Sequence, residues 1–181
     1  MATTYKNKPE DITSTSSKLL KELKKLTVSP ENTNPLSEKI LDEAFGKILS
    51  VCDDQNGGIG LQPKFPQPMI YEFLLRYYSK TGNAKALKIV ELTLGKMACG
   101  GIFDQLGGGF HRYSTDTFWL VPHFEKMLYD NALLAKLYLH AFQITGDPLY
   151  RRVVEDTLNY VSREMTNSQG GFYSAQDADS E

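Results

Sequence analysis

Several things are scarce in this chain. Its 181 residues include two cysteines, one tryptophan and three histidines, and acids outnumber bases by 22 to 20. Cys52 and Cys99 lie far apart with no CxxC spacing, which excludes a disulfide framework and a paired-cysteine redox motif. Each falls in a helical pattern and is expected as a buried apolar thiol, in a reducing compartment, cytoplasm or mitochondrion. No apolar run approaches membrane-spanning length, and the near-balanced charge leaves no footprint for nucleic acid or an anionic membrane, so neither is expected as a partner. The first 17 residues, MATTYKNKPEDITSTSS, lack the apolar core of a secretory signal and read as a disordered polar leader. There is no phosphate-binding loop and no GxGxxG fingerprint, so no cofactor is expected. Without His-x-x-His or cysteine-rich spacing, no metal is assigned.

What is present is helical periodicity. A short amphipathic stretch, SSKLLKELKKL, is expected as a short helix within a polar segment, residues 1–34, read as leader and linker. Asn34 and Pro35 read as an N-cap and first helical residue, followed by Leu41, Phe45, Ile48 and Cys52 at helical spacing. Ile70, Phe73, Leu74 and Tyr77 mark a second helix that closes at Thr81-Gly82, glycine being a natural C-cap. Residues 81–94, TGNAKALKIVELTL, then recur as residues 145–158, TGDPLYRRVVEDTL. Each is a tight Thr-Gly turn, an Asn or Asp cap and an amphipathic helix that runs on toward a glycine pair. The long helix read from Pro122 to Ile144 is almost wholly apolar in its second half, as expected of a helix enclosed by others.

A unit of helix, short turn, helix and long Gly-rich loop cannot bury its own apolar face, so the units must stack. The expected fold is all-α: residues 35–181 form an incomplete α/α toroid of about two and a half helical hairpins. Antiparallel helices send the Thr-Gly turns to one end of the layer and the Gly-rich loops to the other. PKFP, the Gly100–Val121 loop and the SAQDAD tail therefore share a rim. GFHRYS and FWLV around STDT are expected to pair there as a small β-hairpin.

That rim collects the residues able to do chemistry. His111 lies in the hairpin. His123, read in the first turn of the long helix, would be kept neutral by the helix dipole, with Lys126 and Asp130 on its face and Glu125 and Tyr129 on another. Asp177, Asp179 and Glu181 add a second acidic cluster. His111, His123, Glu125, Asp177 and Asp179 are the candidate acid–base groups. Lys64, Arg112, Tyr113, Trp119, Lys126 and Asp130 are the candidate substrate-binding groups. His140, mid-helix in an apolar run, reads as a satisfied core histidine.

GGGFHRYSTDTFWLVPHFEKMLYDNA, PKFP and SAQDADSE together resemble the thioredoxin-domain-containing family of YyaL-like and spermatogenesis-associated thioredoxin-like proteins. The resemblance spans roughly residues 36–181. It implies an N-terminal thioredoxin-like domain followed by a six-hairpin toroid of the glycosidase and N-acylglucosamine epimerase type, with this chain beginning near the junction and stopping inside the toroid. The chain has no thioredoxin-like βαβ pattern, so that domain's function is not carried over. Thr115 and Leu133 stand where the family pattern has valine and glutamine.

Two functions follow as expectations. One is a fragment of a carbohydrate-active domain, a sugar isomerase, epimerase or glycosidase, with a small sugar as substrate. The other is a non-catalytic scaffold joined to a redox-type domain, its partners being the thioredoxin-like domain and the remaining toroid repeats.

Overall fold

In the computed structural model, the described residues are Tyr5, 9–27 and 37–179. The chain divides into two compact units, Met1–Ser37 and Glu38–Glu181. The first carries helix α1, Pro9–Thr27, which corrects the expectation of a disordered leader over residues 9–17. Pro9 starts the helix with its φ already suited to it, and Glu10 and Asp11 face the positive helix end while Lys24 and Lys25 occupy the last turn. Asn34 and Pro35 lie outside the described residues.

In the second unit, helix α2 spans Lys39–Val51, α3 Pro68–Thr81, α4 Ala84–Cys99, α5 Leu128–Thr145 and α6 Pro148–Glu164. Helices α3 and α5 pack on each other and back onto α4 and α6, with α2 against α3. The core between these layers is apolar at helical spacing: Tyr71 and Leu74 from α3, Val90, Leu94 and Met97 from α4, Leu134 and Tyr138 from α5, and Val153 from α6 are all fully enclosed. Enclosure of such side chains stabilises by about 1.5–3 kcal/mol each, an upper figure before chain entropy is counted.

The two Thr-Gly turns are built alike. Thr81 donates to the Tyr77 carbonyl and accepts from Asn83 N–H, while Gly82 turns at φ 70° and Asn83 accepts from Lys85 N–H at 3.0 Å. Thr145, Gly146 and Asp147 repeat every bond, with φ 71° at Gly146 and a 2.9 Å bond from Leu149 N–H. Each cap contributes roughly 1 kcal/mol.

The Gly-rich loops repeat as well. Antiparallel bridges Cys52–Ile59, Phe103–Phe110 and Thr166–Phe172 close three successive loops. Lys64 bridges Ser114, and strand β3 (Lys126–Met127) pairs with β4 (Ala175–Gln176), so PKFP, the middle loop and the SAQDAD tail meet at one rim. A hairpin of β1 (Tyr113–Ser114) and β2 (Pro122–His123) rises there. Its second strand lies just beyond the expected FWLV, because Asp116 fixes the turn. The Asp116 carboxylate accepts the N–H groups of Phe118, Leu120 and Val121, leaving Phe118 to Val121 in the bend.

The long helix begins at Leu128, not near Pro122, because residues 122–127 are extended and bonded to neighbouring segments. Nor is it enclosed all round: Tyr129 and Leu139 are exposed on its open face. The cysteines also differ from expectation. Cys52, at the C-cap of α2, is half-buried, and Cys99, the last residue of α4, is exposed. His140 is half-exposed and pairs with Glu72 of α3 at 2.9 Å, so it is satisfied without being core.

Candidate functional site

Two lysines set the frame of the rim. Lys64 Nζ donates to Asp53 Oδ2 at 2.6 Å and to the Gly57 carbonyl at 2.7 Å. Lys126 Nζ donates to Asp104 Oδ2 at 2.7 Å and to the Gly108 carbonyl at 2.8 Å. The same aspartates cap their loops by accepting backbone N–H groups two and three residues on. Burial pushes both carboxyls up, but these bonds outweigh it. They hold Asp53 well below the usual range and bring Asp104 down to about 2.

Lys64 is 0% exposed and Lys126 5% exposed. Lys64 and Lys126 are thus corrected from substrate-binding groups to structural ones, since every polar contact they make is internal. Trp119 is corrected for the same reason. It is fully enclosed, its Nε1 donates to the Asn56 carbonyl at 3.0 Å, and its ring lies against Gly58, where a Cβ would come within 2.5 Å. Tyr71 is also wholly within the core.

The remaining candidates on the hairpin and the start of α5 converge. Arg112 N–H donates to the Glu125 carbonyl at 2.7 Å, which aligns the two side chains, and Arg112 Nη1 reaches Glu125 Oε2 at 2.7 Å. The Glu125 carboxylate raises the guanidinium pKa further. Tyr129 and Asp130, at the start of α5, complete the set, with the Tyr129 hydroxyl beside both Arg112 and Asp130. Asp130 is 9% exposed, and burial pushes its carboxyl up to about 6, with Arg112 opposing and Glu125 adding to the rise. A carboxyl poised there exchanges protons near neutral pH.

His123 lies in β2, which corrects its placement in a helix. The dipole argument for its neutrality therefore lapses, as does the shared helical face with Lys126 and Asp130. Its Nδ1 is buried without a hydrogen-bond partner and faces Glu125 Oε2 at 3.9 Å. His111 is buried, with Nδ1 3.2 Å from the Phe124 carbonyl. A carbonyl only accepts, so Nδ1 carries the proton and Nε2 keeps a lone pair. Burial and the nearby Lys126 charge lower the His111 pKa, favouring this neutral form.

Asp177 and Asp179 are exposed. The Lys126–Gln176 register brings Asp177 to the Glu125 end of the strand pair. Glu181 lies outside the described residues. A cavity of about 580 Å³ opens on another side of the hairpin, lined by Cys52, Asp53, Leu61 and Phe118 among others, and includes none of the Arg112 cluster. Among the described residues, no group of three or more His, Cys, Asp or Glu is placed to hold a metal ion. Among those residues, too, no helix is long and apolar enough to cross a membrane.

The aspartates of the two clamps, and Phe65 beside Tyr113, escaped the sequence reading. A signal was there for the clamps: DDQNGG and DQLGGG each begin with an aspartate whose partner lysine follows later, and Lys64 and Lys126 stand sixty-two residues apart.

The fold is an α/α toroid layer of the kind found in sugar epimerases. The structure of a sugar epimerase from a ruminal bacterium superposes with a TM-score of 0.66 at 16% identity, over 77% of this chain and 40% of that one. A D-mannose isomerase superposes with a TM-score of 0.60 at 17% identity, over 77% and 41%. In sequence, the chain is 43% identical over 159 residues to human spermatogenesis-associated protein 20, covering 86% of this chain and 20% of that protein. The chain thus spans about a fifth of the length of the curated relatives it matches. No protein-family model matches the chain.

Proposed function

We propose that this chain is the early part of a sugar isomerase- or epimerase-like toroid domain, and that the Arg112, His123, Glu125 and Asp130 cluster moves protons on a sugar. One observation carries the reading. The first helix-and-loop repeat has the same lysine clamp and the same bridged loop, yet Leu61, Pro63 and Pro68 stand where the second repeat has His123, Glu125 and Asp130. Bridge to clamp is five residues in the first repeat, Ile59 to Lys64, and sixteen in the second, Phe110 to Lys126. The added residues form the hairpin that carries Arg112 and His123. The first loop therefore closes without these polar groups, which supports reading their convergence in the second as functional.

In an open-chain aldose, a base removes the proton at C2 while an acid protonates O1, giving an enediol. Return of the proton to the other face of C2, with O1 giving its proton back, yields the epimer. Return of the proton to C1, with O2 giving up its own proton to form the C2 carbonyl, yields the ketose. His123 is positioned as the base, protonated Asp130 as the acid, and Arg112 as the group that lowers the energy of oxyanion character on the substrate. Glu125 stabilises the imidazolium that forms.

Incubation of the chain in deuterium oxide with neutral aldoses tests this. Deuterium appearing at C2 of one sugar, and failing to appear with Glu125→Gln or Asp130→Asn, is the expected result. No exchange above buffer with any sugar contradicts catalysis by this chain and favours the scaffold reading.

A further inference from the structure

We propose that Tyr113 is a positioning residue: its ring holds the His123 imidazole in the plane that turns Nδ1 toward Glu125 and leaves the opposite edge for a substrate proton. The inference rests on the reading of His123 as a proton-transfer group.

Tyr113 and His123 are direct cross-strand partners in the hairpin. Their rings stack with centroids 4.8 Å apart and planes 16° from parallel. Phe65 in turn lies 4.9 Å from the Tyr113 ring, tilted by 35°. The Phe65 backbone is held beside Lys64, which exchanges both backbone bonds with Ser114, at 2.9 and 2.8 Å, and is locked by its ammonium clamp. A line of contacts thus runs from the segment of the buried lysine through Phe65 and Tyr113 to the imidazole.

His123 needs such support. It sits on a two-residue strand, half-exposed, and its Nδ1 has no hydrogen bond to fix the ring. At 3.9 Å, Glu125 attracts a protonated ring but does not orient a neutral one by hydrogen bonding. An unconstrained imidazole would rotate, and misplacement by about 1 Å costs about a hundredfold in rate. The Tyr113 face supplies the missing constraint. Tyr113 is only half-buried and outside the main core, so its ring is not needed to fill the interior.

The test compares Tyr113→Phe and Tyr113→Leu in the full chain by NMR of the imidazole protons and nitrogens, with His123→Gln identifying the His123 signals among three histidines. Wild type and Tyr113→Phe are expected to share upfield-shifted His123 ring protons and one tautomer pattern. Tyr113→Leu is expected to lose both while keeping a cooperative melt. Should Tyr113→Leu fail to fold, Phe65→Leu is expected to move the same signals in the same direction, by less. Unchanged His123 signals in Tyr113→Leu, or in Phe65→Leu where that variant stands in, overturn the proposal. Deuterium exchange on the same samples separates the two claims. Signals that move as expected, with no exchange even in wild type, leave the positioning intact and remove the proton-transfer reading.

Discussion

Lys64 and Lys126 make the same pair of bonds in successive helix-and-loop repeats: each ammonium joins an aspartate Oδ2 to the carbonyl of the glycine four residues beyond that aspartate. Each also lies near an aromatic ring, Lys64 at 5.6 Å from Trp119 and Lys126 at 4.1 Å from Tyr160. The toroid loops are therefore held by repeated buried ion pairs as well as by helix packing.

Removing the buried lysine of such a pair leaves a largely buried carboxylate without its cation. Lys64→Met is expected to destabilise the chain by about 3–5 kcal/mol in urea unfolding, because the Asp53 carboxylate keeps its place without its cation. Pairing Lys64→Met with Asp53→Leu should recover much of that loss, since no orphan charge remains. A single substitution that costs under about 1 kcal/mol would show the clamp to be an ordinary surface pair.

Asp130 runs opposite to the clamp aspartates. Its folded pKa is raised from 3.8 to about 6, so the folded state binds its proton more tightly than the unfolded chain does. The stability this confers is full below about pH 4 and is lost as the pH rises through about 6. At pH 7 the ionised carboxylate is then a burden, and Asp130→Asn is expected to be more stable than wild type by roughly 1–3 kcal/mol. That margin should shrink steadily toward zero as the pH falls from 7 to 4, in melts recorded across the range. A residue that costs stability where it stands is expected of a working group rather than a structural one.

Much of the fold was legible in the sequence because repetition and capping are local. The Thr-Gly turns, with Asn83 and Asp147 as caps, needed only a few adjacent residues, and the repeat between them followed. The start of α5 was misplaced because Pro122 is a good first helical residue. What keeps residues 122–127 extended is bonding to Arg112, Ser114 and Gln176, partners distant in sequence. The same non-local pairing made Lys64, Lys126 and Trp119 look like surface recognition groups, since a buried lysine cannot be told from an exposed one without its aspartate. The meeting of Arg112 with Glu125 depended on a hairpin only two residues deep on each side. Its existence could be anticipated, but its register was set by the Asp116 turn.

The most direct test is a thermal melt of the chain with a panel of neutral mono- and oligosaccharides, beside His123→Ala under identical conditions. A cooperative transition whose Tm rises with one sugar in wild type, and stays flat in His123→Ala, is the predicted result. A Tm that no sugar moves, or that moves equally in both proteins, would contradict a sugar site built around His123.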